Sequence, residues 1–248
     1  MAWITLLLLA AGIVALVFRP DLLRASLFES NSDYRELGIG ALPRSVAMSR
    51  AVQPYLNRLS REHCDREAIL PLADGLKATG HLREAANALV SFVDRCKGPN
   101  EYLDPAVEDF LALSDFEKAF QLADRLVRED PSYGRYRYLR ALSAEKLGNL
   151  QQSLIDHIDA LALLGNPANV HSSVFYDLAL AYDRLGRHCE AITPIQQWAA
   201  YDPARYNPQT RKLIEEFSKK ETAVPNTPKS TPFTPRPLRA MSFWHGHR

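Results

Sequence analysis

The sequence predicts an all-α chain of stacked helical hairpins, and three observations carry that prediction. Leu and Ala dominate the middle of the chain, and both favour helix. No run alternates Val, Ile or Thr with polar residues, as a half-buried strand would. A helix–turn–helix pattern recurs at a fixed spacing across residues 66–205.

The recurrence appears when a turn followed by a small residue is aligned. "TGHLREAANAL" places Ala85, "LSDFEKAFQLA" places Ala119, "LGNLQQSLIDH" places Ser153 and "LGRHCEAITPI" places Ala191. Successive spacings are 34, 34 and 38 residues. Thirty-four residues is the period of the tetratricopeptide repeat, so the chain resembles that family. The resemblance implies a solenoid of helical hairpins coiled into a right-handed superhelix, because no single repeat buries its apolar face alone. The repeats run 66–99, 100–133, 134–167 and 172–205, with a four-residue insertion around "NPAN".

Other positions keep the same phase. The turn between the two helices holds Gly80, Ser114, Gly148 and Gly186, where a left-handed residue ends the first helix. The close approach of the two helices takes Ala73, Val107, Ala141 and Ala179. Three residues later stand Leu76, Phe110, Ala144 and Tyr182. "EDP" at 129–131 and "YDP" at 201–203 end second helices, since Pro cannot continue them. Pro194 falls inside the last second helix and predicts a kink.

The flanks differ in character. Residues 1–18, "MAWITLLLLAAGIVALVF", carry no charged side chain and would cover ~27 Å as a helix, enough to span a bilayer. They read as a transmembrane anchor or, alternatively, a cleaved signal segment. Residues 19–43 read as a linker, and residues 44–65 as a leading helix broken or kinked near Pro54. Residues 206–220 predict a capping helix with Leu213, Ile214 and Phe217 on one face. Residues 221–248 are Pro- and Thr-rich and read as a disordered tail.

A narrower resemblance lies in "VFYDLALAYDRLGRHCEAITPIQQWAAYDPARYNPQTRKLIEEF", residues 174–217, with "CDREAILPLADGL", "FVDRC" and "YRYLRALSAEKLGNLQQSLIDHIDALAL". These stretches resemble the repeat-bearing N-terminal half of bacterial retropepsin-like aspartic protease proteins. Such a protease needs Asp-Thr-Gly or Asp-Ser-Gly, whose carboxylates share a proton and activate water. Neither triplet occurs in this sequence. The resemblance therefore implies the scaffold, with a regulatory or substrate-positioning half of such a protease as the alternative to a stand-alone scaffold.

Net charge is +1, so nothing global points to nucleic acid. No phosphate loop, dinucleotide fingerprint, His-Glu-x-x-His or paired Cys-x-x-Cys occurs, so no catalytic residue, cofactor, metal or small-molecule substrate is expected. Asp156, His157 and Asp159 in "DHID" fall on different helix faces and read as a solvated surface with one packed His. Cys64 precedes the first helix of repeat one and Cys96 ends its second, so a disulfide between them is a candidate, with two free thiols the alternative. A disulfide would imply an oxidising compartment. That favours a single-pass inner-membrane protein with periplasmic repeats, or a secreted periplasmic form after signal cleavage. Cys189 reads as a free thiol, and no third group orients His188 beside it as a base.

The working surface expected in a tetratricopeptide-like array is its concave groove, lined by residues 2, 5, 9 and 12–13 of each first helix. Repeat two then offers Glu101, Asp104 and Glu108; repeat three offers Arg135, Tyr138 and Leu142; repeat four offers Tyr176, Leu180 and Arg184. Tyr and Arg are favoured anchors, and such a groove suits an extended peptide or helix. The predicted partners are a protein or peptide in the groove and a membrane through residues 1–18.

Overall fold

The structure, a computed structural model, describes residues 34–164, 172–201 and 208–223. The anchor or signal segment expected over 1–18, the "NPAN" insertion and the tail from 224 lie outside the described residues. No described helix is long and apolar enough to cross a membrane.

Two units divide the chain at Asn166 and Pro167. In the first, a 3-10 turn at Arg35–Leu37 precedes α1 (Arg44–Ala47), α2 (Gln53–Arg61), α3 (Arg66–Ala78), α4 (Leu82–Cys96), α5 (Leu103–Ala112), α6 (Phe116–Glu129), α7 (Gly134–Lys146) and α8 (Leu150–Leu164). The second holds α9 (Ser172–Arg184), α10 (His188–Tyr201) and α11 (Pro208–Ala223). Within each unit every helix packs on the next in sequence.

The helices follow from local chemistry. Asp65 caps α3, its carboxylate accepting the backbone N–H of Glu67 at 3.0 Å. Pro54 lies in the first turn of α2, where a missing N–H costs nothing, so the leading segment is two helices and not one bent helix. Helix α6 buries Ala119, Ala123, Leu126 and Val127, a stripe at i, i+4, i+7 and i+8, and turns its charges outward. Helix α10 continues through Pro194 as far as Tyr201.

One core runs from Ile39 through Leu139. Leu42, Leu56 and Leu59 from the leading segment share it with Leu72 and Leu76 of α3, and all are essentially inaccessible. Each such leucine contributes roughly 1.5–3 kcal/mol. Residues 34–43 are therefore part of the folded unit, where the sequence suggested linker. Gly75 makes this docking close: a Cβ there would stand 2.1 Å from the Ala51 carbonyl oxygen. The small residues Ala73, Val107, Ala141 and Ala179, and the helix-B residues Ala85, Ala119, Ser153 and Ala191, are all buried.

The four hairpin turns share one geometry. Gly80, Ser114, Gly148 and Gly186 all have positive φ, between 59° and 81°. In each, the next residue donates its N–H back to the carbonyl of Leu76, Phe110, Ala144 or Tyr182, at 2.8–3.0 Å. This six-to-one closure satisfies the carbonyls that the first helix leaves open. Cys64 and Cys96 form a disulfide with Cα atoms 5.4 Å apart, tying the start of α3 to the end of α4.

Added Cβ atoms at Gly80, Gly148 and Gly186 would touch nothing within 4 Å, so only the backbone demands glycine there. Gly148→Ala should lower stability by about 1 kcal/mol, and Ser114→Gly should raise it by about 0.5 kcal/mol. Urea unfolding of both variants checks this; shifts of the same sign would contradict the shared turn geometry.

Candidate functional site

The first helices of the repeats form the surface of interest. In the first unit these are α3, α5 and α7, and α5 packs directly on α7 as well as on its own partner. Asp104 and Glu108 stand one turn apart on α5, and Arg135 opens α7. The structure brings these three predicted site residues together, but against one another. Arg135 Nε donates to Asp104 Oδ2 at 2.6 Å, and Nη2 donates to Asp104 Oδ1 at 2.9 Å and to Glu108 Oε1 at 2.7 Å. The two carboxylates, Asp104 first, hold the guanidinium well above its ordinary pKa. Arg135 is thus a strut between repeats two and three before it is a ligand contact.

The remaining predicted residues lie wholly or partly at the surface. Glu101 is exposed. Tyr138 is half-buried, its ring 5.7 Å from that of the buried His157, and Leu142 is half-buried. In the second unit Tyr176, Leu180 and Arg184 follow one another at i, i+4 and i+8 on one face of α9. Tyr176 is 44% exposed. Leu70 of α3, which the sequence did not single out, holds the same fifth repeat position and is 37% exposed.

The Arg135 strut belongs to a series. Lys77 meets Asp109 at 2.9 Å, Arg83 meets Asp115 at 2.8 Å, and Arg125 meets Asp94 at 2.5 Å. Every pair joins adjacent repeats, with partners 31 or 32 residues apart. Arg140 extends the series inward. Its guanidinium binds Asp156 through two hydrogen bonds, at 2.8 and 2.7 Å, and Asp124 of the preceding repeat at 2.7 Å. Gln152 donates to the same Asp156 at 3.0 Å. In "DHID" His157 is fully buried, as the packed His that the sequence predicts, but Asp156 is fully buried too, which corrects the expectation of a solvated aspartate. Its aspartate completes an ion pair because its helix turns it toward α7, away from water.

Burial raises the Asp109 carboxyl above its ordinary pKa, with Lys77 opposing that shift. Asp115, near solvent, is held below its ordinary value, chiefly by the hydrogen bond from Arg83. Around Cys189 the chemistry is quiet. Asp183 Oδ1 lies 2.8 Å from His188 Nδ1, an orienting group the sequence did not reveal, but partial desolvation, then Glu221, push the Cys189 thiol up. A raised thiol pKa opposes nucleophilic use. Asp183 also receives Lys220 Nζ at 2.7 Å, which fastens α11 to α9. Among the described residues no cluster of His, Cys, Asp and Glu could hold a metal ion.

Two cavities stand out. One of about 260 Å³ lies beside the disulfide, lined by Leu37, His63, Ile69 and Phe92. The other, about 440 Å³, is a cleft in the second unit lined by Tyr176, Ile195, Trp198, Thr210, Leu213 and Glu216. Sequence reasoning named Tyr176 and placed Leu213 on an apolar helix face. It had no signal that the two would meet.

No protein-family model matches the chain, and no curated protein matches it. Nothing in these comparisons supports the resemblance to retropepsin-like proteins. Solved structures do match. YrrB, a TPR protein with an unusual peptide-binding site, aligns with TM-score 0.53 at 13% identity, covering 66% of this chain and 80% of its own. MamA from Desulfovibrio magneticus RS-1 aligns with TM-score 0.52 at 15% identity, covering 65% and 100%. A further MamA crystal structure gives TM-score 0.50 at 18% identity, covering 62% and 86%. At these identities the likeness shows the fold: helical hairpins of the tetratricopeptide kind.

The two perturbed aspartates make opposite pH signatures. A raised carboxyl contributes stability below about pH 4 that is lost as pH rises; a lowered one contributes stability above about pH 4 that is lost as pH falls. Relative to Asp109→Asn, the native chain should lose stability between pH 3 and pH 7. Relative to Asp115→Asn, it should gain stability over the same window. Denaturant unfolding across that range measures both, and parallel slopes would contradict the assignment.

Proposed function

We propose that this chain is a scaffold in which the first helices of each unit bind an extended segment of a protein partner. The observation that carries this is the fifth repeat position. It holds Leu70, Tyr138 and Tyr176 in repeats one, three and four, large side chains that the core leaves half-buried or exposed. Repeat two holds Asp104 there, already taken by Arg135. Large apolar or aromatic side chains left open on first helices suit peptide recognition. The similarity to YrrB, a protein with a peptide-binding site, supports the same reading.

We also propose that the scaffold is tethered at a bacterial envelope through residues 1–18 and faces the periplasm. The Cys64–Cys96 disulfide supports this, since such bonds persist in oxidising compartments. Thiol labelling of intact cells checks it. Cys64 and Cys96 should label only after reduction, and labelling of both without reductant would oppose it.

Arg135 is a poor probe of binding, because its reversal would break the contacts to Asp104 and Glu108. Leu70→Ala and Tyr176→Ala test the surface without removing a core residue, at a stability cost of about 0.5 kcal/mol or less. Peptides selected on the native chain from a display library should bind the doubly substituted protein about tenfold or more weakly. Unchanged affinity would overturn the proposal.

A further inference from the structure

A cleft of about 440 Å³ opens between α9, α10 and α11 in the second unit. Tyr176 lies exposed at its edge and Trp198 stands half-buried in its wall. Two aromatic side chains line the cleft together with Ile195 and Leu213, which suits flat, rigid apolar groups. Proline rings fit that description: proline-rich segments dock into aromatic-lined grooves because their extended form is already set before binding.

The chain carries such a segment immediately after α11. Residues 224–248 contain five prolines, four Lys or Arg, and no Asp or Glu. Within them "PFTPRP", residues 232–237, places Pro232 and Pro235 three apart, on one edge of a polyproline helix with three residues per turn, followed by Arg236. Reach is sufficient. Leu213 lies ten residues before Ala223, so ~15 Å of helix separates the cleft from the end of α11. The nine residues from Ala223 to Pro232 extend to ~28 Å at ~3.1 Å each, enough to turn back along α11.

We propose that residues 232–237 of the same chain occupy the Tyr176–Trp198 cleft as a resident intramolecular ligand. Pro232 and Pro235 pack on the two aromatic rings, and Arg236 reaches Glu216 at the rim. Glu216 is half-exposed, and Lys212 on the cleft wall stands 3.9 Å away as a weak exposed pair that Arg236 can displace. An outside peptide must then compete with a tethered one whose effective concentration is in the mM range for a short linker. This inference rests on the peptide-binding reading above and adds a regulator to it.

The test uses the full chain with p-benzoylphenylalanine in place of Phe233. Irradiation at low protein concentration should join residue 233 to fragments of α9 or α11 in species of monomer mass. Tyr176→Ala, and separately Pro232→Ala with Pro235→Ala, should abolish that crosslink while circular dichroism keeps the native helix content. A crosslink only at dimer mass would mean a second copy fills the cleft and would overturn the proposal; so would a crosslink elsewhere or none. Peptide capture separates the two readings. Library-selected peptides that use Tyr176 should bind the Pro232→Ala, Pro235→Ala chain about tenfold more tightly than the native chain. Equal binding to both would overturn the resident ligand and leave the broader proposal standing, whereas that broader proposal falls on the Leu70 and Tyr176 variants of the native tail.

Discussion

Arg140 is where the repeats of the first unit are locked in register. One guanidinium holds Asp156 of its own hairpin and Asp124 of the preceding one, and Asp156 is fully buried. Burying charge is costly unless the pairing is complete. Here Gln152 adds a further hydrogen bond to the carboxylate. A slip of one helix past its neighbour would strand that carboxylate. The apolar stripes of α6 to α8 would tolerate some sliding, and the ion triad would not.

The same constraint governs what the inner face can offer a partner. Arg135, Asp104 and Glu108 resemble a mixed-charge binding strip when read along the chain. In space they continue the series of inter-repeat pairs begun by Lys77–Asp109 and Arg83–Asp115. At the fifth position Leu70 and Tyr138 stay exposed or half-buried in the first unit, and Tyr176 is exposed in the second. Charges thus set the spacing of repeats, while large fifth-position side chains stay partly open to solvent.

The hairpins were legible in the sequence because their turns are chemically demanding. A left-handed residue must follow each first helix, and glycine supplies it three times in four. Small residues at the helix contacts were legible for the same reason. Residues 34–43 were misread because Ile39 and Leu42 sit among glycines and prolines with no periodicity to mark them as core. Asp156 was misread because its helical face can be assigned only once α8 is packed against α7. Arg135 was misread because its partners are 27 and 31 residues away. That signal was nevertheless present: an opposite charge recurs at 31 or 32 residues from Lys77, Arg83, Asp94 and Asp104. The Tyr176–Trp198 cleft left no such trace, since it depends on how three helices cross.

The most direct measurement is a double-mutant cycle on Arg140 and Asp156, using Arg140→Met, Asp156→Leu and both together, followed by urea unfolding. If this pair locks the register, each single change strips a buried charge of its main partner and costs about 3 kcal/mol or more, while the double variant recovers most of that loss. Single costs that simply add, within about 0.5 kcal/mol, would show that the pair carries no such role and would contradict the account.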